Sequence, residues 1–340
     1  MYNLRLRKQV IKQLALIILS FCVGTNLVSQ EEKPLVVATA SIFADMAENI
    51  AGDEVVIKSV VPIGGDPHTY EPTPSDAQLI ANADLIIKNG LTFEGWLSEL
   101  IENSGTKADV KLITEGVKAI GSQTYANSSD PHAWMDASHG LKYIENVKDA
   151  LVKLRPDLKE QFEFNYGVYR QQIEDMDTYI QTEINKIPAQ QRILITSHDA
   201  FQYYGRRYGV RLESVLGTST DAQVQTSDMK RLVKVINDTG VPAVFVESTI
   251  NPKLLEQLAE DNGVSIGGQL YSDSLGDKDS PAPSYLDMLK HNTDTMVKAL
   301  SAKKKEPISE NEENGATSWL LWGVLGLLLI GGFVVVARQM

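Results

Sequence analysis

The stretch Leu35–Pro62, LVVATASIFADMAENIAGDEVVIKSVVP, carries the pattern from which the fold is predicted. Leu35–Ala40 is a short apolar run, typical of a buried strand. Ile42–Ile50 has apolar residues at helical spacing, and the pattern ends at a glycine. Val55–Val61 alternates as a second strand does and ends at a proline. A strand, a helix and a strand in succession predict a parallel β-α-β unit.

The same alternation of strands and helices continues along the chain. Further strands are predicted at Asp84–Lys88, Lys111–Thr114, Arg192–Thr196, Ala243–Glu247 and Ser265–Leu270. Further helices are predicted at Pro74–Ala83, Phe93–Glu102, Phe201–Tyr208, Met229–Thr239 and Lys253–Asn262. We therefore expect an α/β fold with two lobes, each with a mostly parallel sheet flanked by helices.

The middle of the chain is rich in helical patterns. Asp136–Leu154 has apolar residues three or four positions apart, and Pro156 ends it. Asp157–Ile187 then runs without proline, which predicts one long rigid α-helix joining the lobes. The division expected is an N-terminal lobe at 31–155, a linking helix at 156–188 and a C-terminal lobe at 189–300. The alternative is that this helix forms one layer of a larger single domain.

Both ends of the chain have patterns of membrane-directed segments. Residues 1–29 combine basic residues with the apolar run Leu14–Val23, as in a secretory signal peptide. Cys22 suggests lipid attachment, but Phe21 stands where a lipobox has a small residue, so a cysteine within a removed signal is the other interpretation. Residues 301–318 are a polar tether. Residues 319–337 contain a long uncharged apolar run and predict a transmembrane anchor, with the middle of the chain on the extracytoplasmic face.

Composition excludes several kinds of site. The segment 31–300 has no cysteine, which excludes a thiolate nucleophile, a cysteine-rich zinc site and an iron–sulfur cluster there. The formal net charge of −12 argues against nucleic acid as a partner and is compatible with binding cations.

Two of the five histidines occur in the same tripeptide, Asp-Pro-His. His68 lies in a loop bracketed by prolines and follows a predicted strand, a position where α/β sheets bind ligands. His132 precedes a predicted helix, and either Asp130 or Asp136 can orient its ring. For Asp136 the other interpretation is a helix N-cap.

A third histidine and an aspartate also follow predicted strands. His198 is a candidate ligand, and its rival role is in a Ser197–His198 catalytic pair. That pair is disfavoured because adjacent side chains on extended backbone point to opposite faces. Asp273 lies in a Ser/Gly-rich loop where aspartate is commonly a turn former. His139 and His291, on polar helical stretches, are expected to be solvated.

These segments resemble the zinc- and manganese-binding solute-binding proteins of bacterial ABC transporters, the cluster A-I or "cluster nine" group. The resemblance covers about residues 34–300. It rests on the segments GGDPHTYEP from Gly64, DPHAWMD from Asp130, TSHDAF from Thr196, FVE from Phe245 and YSDSLG from Tyr271. It implies metal ligation by His68, His132, His198 and Asp273, between two lobes joined by one long helix.

The resemblance also implies a function in transport. The cargo would be Zn2+ or Mn2+, and the partner would be an ABC permease with its ATPase. Three imidazoles and one carboxylate favour zinc over the harder manganese. Because ligand histidines must be neutral, metal affinity should fall as pH drops through about 6.5. The protein is expected not to be an enzyme. The alternatives are a membrane-anchored zinc-dependent hydrolase and a metal-stabilised adhesin.

Overall fold

The computed structural model describes residues 32–121, 128–221 and 224–302. The predicted signal peptide at 1–29, with Cys22, and the predicted anchor at 319–337 lie outside the described residues, as does nearly all of the tether at 301–318. None of the helices within the three described ranges combines the length and apolar character needed to cross a bilayer.

The first half of the chain alternates strands and helices. Its elements are β1 (Leu35–Ala38), α1 (Ser41–Ala51), β2 (Val56–Ser59), α2 (Pro74–Ala81), β3 (Leu85–Lys88), α3 (Leu97–Ser104), β4 (Asp109–Leu112), α4 (Ala137–Leu154) and α5 (Lys159–Ile184). The four strands form one sheet in the order β2-β1-β3-β4. All three pairings in this sheet are parallel, with Val36 opposite both Ile57 and Leu85.

The second half has the same alternation. Its elements are β5 (Ile193–Thr196), α6 (Gln202–Tyr208), β6 (Arg211–Ser214), α7 (Thr226–Thr239), β7 (Ala243–Glu247), α8 (Lys253–Asp261), β8 (Ser265–Leu270) and α9 (Tyr285–Leu300). β5 pairs with β6 and β7 pairs with β8, both in parallel. The predicted α/β fold with parallel strands and flanking helices is confirmed.

The helix α5 is 26 residues long, which corresponds to about 39 Å of helix. Its buried side chains recur along one side, at Phe162, Tyr169, Ile173, Ile180 and Ile184. The helix contacts α1 and α4 from the first half and α9 from the second. It therefore packs along elements from both halves of the chain.

Trp134 makes buried hydrogen bonds that join the two halves of the chain. The Trp134 indole N–H donates to the Ser272 carbonyl at 2.9 Å, and the Tyr285 hydroxyl donates to the Trp134 carbonyl at 2.6 Å. The indole packs edge-on against Phe43 of α1, with ring centroids 5.4 Å apart. All three aromatic side chains are fully buried. The hydrophobic core is thus continuous from α1 to the loop after β8.

Three details differ from the sequence prediction. The helix predicted from Phe93 begins at Leu97, because the buried Glu94 carboxylate accepts the N–H groups of Asn89 and Gly90 and holds a tight loop there. The strand β6 was not predicted, since its sequence RLES has two charged residues and only one apolar one. The helix α9 contains His291, which was predicted to lie on a helical stretch, but no bounds were predicted for that helix.

Candidate metal centre

Four side chains converge at one point, and they are the four predicted from the sequence. One donor atom from each of His68, His132, His198 and Asp273 lies within 4.8 Å of the others. His68 Nε2 lies 3.2 Å from His132 Nε2. The Asp273 carboxylate oxygens lie 3.3 Å from His132 Nε2, 3.1 Å from His198 Nε2 and 3.8 Å from His68 Nε2. No more than 3% of any of these side chains is exposed.

The fold explains the convergence. His68 lies in the loop between β2 and α2, and His132 lies just before α4. His198 and Asp273 follow the carboxyl ends of β5 and β8. His68, His198 and Asp273 thus follow the carboxyl ends of strands, where α/β sheets commonly bind ligands.

The His68 loop is shaped by hydrogen bonds of its own. A turn over Pro62–Gly65 is closed by the Gly65 N–H, which donates to the Pro62 carbonyl at 2.9 Å. The His68 N–H then donates to Asp66 Oδ1 at 2.9 Å. The Trp96 indole N–H donates to the Pro67 carbonyl at 2.8 Å. These contacts fix the backbone on both sides of the proline and so restrict where the imidazole can lie.

Asp130 orients His132. Its Oδ1 accepts the His132 backbone N–H at 2.9 Å and lies 2.7 Å from the ring Nδ1. A proton on Nδ1 leaves Nε2 with its lone pair toward the centre, the form that binds metal. Asp136, the other candidate, instead caps α4 by accepting the Ser138 N–H at 2.8 Å.

Glu247 orients His198 in the same way. Its Oε1 accepts the His198 backbone N–H at 2.8 Å, and its Oε2 lies 2.8 Å from the ring Nδ1. Glu247 ends the segment FVE, on which the family resemblance rests in part, but no role was predicted for it. The signal available was an acidic residue ending an apolar strand, where a buried charge needs a partner.

The rival Ser197–His198 pair does not form. Both ring nitrogens of His198 face carboxylates, one from Glu247 and one from Asp273. The Ser197 hydroxyl has no hydrogen-bond partner among the described residues. A nucleophilic serine needs a hydrogen bond from its hydroxyl to the base. This arrangement therefore does not support a catalytic serine.

Asp273 presents both carboxylate oxygens to the imidazoles. The carboxylate is fully buried, and neither oxygen accepts a well-aligned hydrogen bond from the described part of the chain. Nearly all buried acceptors in proteins have a hydrogen-bond partner, and an exception calls for an explanation such as a bound cation. Both oxygens of Asp273 are therefore available to a metal ion.

The environment shifts the pKa values of the histidines in opposite directions. Burial lowers the pKa of His68 to about 3. Burial also acts to lower the pKa of His132, but the carboxylates of Asp130 and Asp273 outweigh it and raise that pKa to about 9. Glu247 and Asp273 likewise overcome burial and raise the pKa of His198. Burial acts to raise the pKa of Asp273, but His198 and His132 hold it well below its usual range.

The two remaining histidines, His139 and His291, lie outside the cluster. They were predicted to be solvated, and the structure differs from that prediction. Each is half-buried with a polar neighbour. His139 Nδ1 lies 3.2 Å from Asp136 Oδ2, and His291 Nε2 lies 3.0 Å from the Gln269 carbonyl. The His139 contact is a local pair three residues apart, whereas the His291 contact joins residues 22 apart and depends on packing.

Comparison with curated proteins finds several relatives. The chain is 36% identical over 266 residues to the manganese-binding lipoprotein MntA of Halalkalibacterium halodurans, covering 78% of this chain and 88% of that protein. It is 33% identical over 295 residues to the manganese ABC transporter substrate-binding lipoprotein PsaA of Streptococcus pneumoniae, covering 84% and 96%.

Solved structures with the same fold are also found. The periplasmic zinc-binding protein TroA from Treponema pallidum has a TM-score of 0.76 and 34% identity, covering 79% of this chain and 100% of that one. A manganese-bound periplasmic metal-binding protein from Candidatus Liberibacter asiaticus has a TM-score of 0.73 and 31% identity, with the same coverage. Residues 36–299 match the family described as zinc-uptake complex component A, periplasmic (ZnuA). By this match, and by its likeness to these relatives over most of their length, the chain belongs to the ZnuA family.

Proposed function

We propose that this protein is an extracytoplasmic solute-binding protein that captures a divalent transition metal and delivers it to an ABC permease with its ATPase. The observation that carries this proposal is the buried group of three imidazoles and one carboxylate. The ligands would be His68, His132, His198 and Asp273. The relatives named as substrate-binding lipoproteins of manganese ABC transporters support the transport role.

The donor set suits zinc and can accommodate manganese. Three neutral imidazoles and one carboxylate are a tetrahedral zinc set, with Zn–N distances near 2.0–2.1 Å. Manganese prefers more oxygen donors, and the second carboxylate oxygen of Asp273, which also faces an imidazole, can supply one. The names of the relatives include both metals. The proposed cargo is therefore Zn2+ or Mn2+.

The arrangement favours a carrier over a hydrolase. A catalytic zinc has three protein ligands and an open position for water, whereas here four protein donors surround one point. The carboxylates of Asp130 and Glu247 are engaged in orienting His132 and His198. Neither is placed as a general base for a water on the metal.

The arrangement of the whole chain is part of the proposal. An N-terminal lobe at 31–155 and a C-terminal lobe at 189–300 would be joined by a linking helix at 156–188. A signal peptide at 1–29 would direct export. A tether at 301–318 and a transmembrane helix at 319–337 would hold the protein at the extracytoplasmic face of the membrane. MntA and PsaA are named lipoproteins, so attachment through a helix would distinguish this chain from what those names state.

The proposal is tested by metal analysis of the full chain purified without added metal, followed by competition titration. We expect one equivalent of zinc or manganese per chain, released reversibly to a chelator. A chain that retains neither metal, and binds neither in titration, would contradict the proposal.

A further inference from the structure

Two buried serine hydroxyls connect the residues after Asp273 to the first half of the chain. Ser274 Oγ accepts the Gly64 N–H at 2.8 Å and lies 3.3 Å from Ser41 Oγ. The Leu275 N–H donates to Ser41 Oγ at 2.9 Å. Ser41 is 7% exposed and Ser274 is 2% exposed, so both hydroxyls are buried. We call Ser41 and Ser274 the hydroxyl pair.

The hydrogen bonds of the hydroxyl pair are complete. The Ser274 hydroxyl donates to the Leu275 carbonyl at 2.9 Å, which leaves the Ser41 proton to donate to Ser274 Oγ. The N–H groups of Gly64 and Leu275 are each accepted by one of the two hydroxyls. Removal of the Ser41 hydroxyl would therefore leave the buried Leu275 N–H without its acceptor, which costs more than an average hydrogen bond. Removal of the Ser274 hydroxyl would take the acceptor from the part-buried Gly64 N–H.

The hydroxyl pair joins the segments that carry two candidate ligands. Ser274 is the residue after Asp273, and Gly64 belongs to the turn that leads to His68. Gly64 has a φ of +80°, which favours glycine there and sets the direction of its N–H. Of the three imidazole-to-carboxylate distances, that between His68 and Asp273 is the longest, at 3.8 Å.

We propose that Ser41 and Ser274 are positioning residues for the metal centre. They hold Asp273 at a fixed position relative to His68 and thereby slow the release of a bound divalent metal. This inference rests on the proposed function. Neither hydroxyl lies among the four donors, so the effect acts through the backbone of the Asp273 loop and of the Pro62–Gly65 turn. Support of ligands by neighbouring hydrogen bonds is a general determinant of metal affinity.

The loop provides a matched control in Ser272. Its side chain is also fully buried and also lies next to Asp273, but its hydroxyl has no hydrogen-bond partner among the described residues. Ser272→Ala therefore removes a buried hydroxyl from the same loop without breaking a contact between the halves. The carbonyl of Ser272, which accepts the Trp134 indole N–H, is kept.

The experiment measures the release of zinc from the full chain to a chelator by stopped flow. We expect Ser274→Ala and Ser41→Ala each to release zinc about tenfold faster, the effect of losing one buried hydrogen bond. The double variant should be little faster than either single variant, because the two hydroxyls act as one unit. Ser272→Ala should release zinc at the wild-type rate, and Ser274→Thr should restore slow release. The absorption spectrum of the cobalt(II)-loaded protein should change in Ser41→Ala and Ser274→Ala but not in Ser272→Ala.

Wild-type release rates and cobalt spectra in both Ser41→Ala and Ser274→Ala would overturn the inference, as would equally fast release from Ser272→Ala. Should Ser274→Ala fail to fold, Ser41→Ala carries the same test from the other side of the contact. A wild-type chain that binds neither zinc nor cobalt contradicts the proposed function instead, and is recognised before any variant is compared.

Discussion

Glu247 contacts His198 at two points: it accepts the backbone N–H at 2.8 Å and lies 2.8 Å from the ring Nδ1. Asp130 does the same for His132, at 2.9 and 2.7 Å. One carboxylate in each half of the chain thus fixes both the backbone and the ring of a candidate ligand. This repeated contact directs both Nε2 atoms toward Asp273, as metal binding requires.

Glu247→Gln should weaken metal binding by about 10- to 100-fold, the usual cost of removing a partner that orients a ligand. The amide keeps the size of the side chain but removes the charge beside His198. Competition titration with a chelator measures the change. Asp136→Asn is the matched control, because Asp136 caps α4 and lies away from the donor atoms. Equal affinity in Glu247→Gln and wild type would show that Glu247 is only a structural residue.

Asp273→Ala should weaken metal retention by at least about 100-fold, more than the loss of an orienting partner, because it removes the only carboxylate among the four donors. The control is Asp277→Ala, an exposed aspartate in the same loop. Metal content after dialysis separates the two variants. Retention of metal by Asp273→Ala would contradict the four-donor assignment.

Metal affinity should rise with pH across neutrality. In the metal-free centre His132, whose pKa is raised to about 9, and His198, whose pKa is also raised, hold protons at pH 7. Metal must displace these protons, whereas His68, with its pKa lowered to about 3, is already neutral. The logarithm of the binding constant should therefore increase between pH 6 and 8, by at least about one per pH unit from His132.

Calorimetry in buffers of different ionisation enthalpy counts these protons directly. Release of at least about one proton per metal at pH 7, from His132, is the expected result, and His198 should add to it. The pH dependence of metal binding should therefore extend above pH 6.5, the value expected for unperturbed histidines. The reason is that Asp130, Asp273 and Glu247 stabilise the charged imidazoles. Binding without proton release would contradict the assignment of His132 and His198.

Removal of the metal should leave the protein folded. The core runs from α1 to α9 and does not depend on the four donors, so chelation should lower the melting temperature without loss of cooperative unfolding. At metal concentrations of 1,000 times Kd, the stabilisation is about 4.1 kcal/mol. Circular dichroism melts with and without chelator measure it. Unfolding on chelation at 25 °C would favour the metal-stabilised adhesin.

Release of the metal should involve a small movement. The helix α5 contacts α1, α4 and α9, which resists a wide separation of the two halves. Scattering profiles of the full chain with and without zinc should give closely similar radii of gyration. A large increase on removal of zinc would contradict a rigid linking helix.

The sequence predicted the parts of the site that have local signals. The repeated Asp-Pro-His tripeptides mark His68 and His132, and strand ends mark His198 and Asp273. It did not reveal Glu247 as the partner of His198, because that contact joins two strands far apart in sequence. The hydroxyl pair was missed for the same reason, since serine in a loop is ordinary and only tertiary packing brings Ser41 to Ser274. The start of α3 depends on the buried Glu94 carboxylate, which no periodicity reveals.

We infer that His68, His132, His198 and Asp273 together hold one metal ion. X-ray absorption of the zinc-loaded full chain measures the ligands of that ion. We expect a first shell of three imidazole nitrogens and carboxylate oxygen, with Zn–N near 2.0–2.1 Å, and loss of one imidazole contribution in His198→Ala. A shell made of oxygens alone, or a spectrum unchanged by His198→Ala, would contradict it.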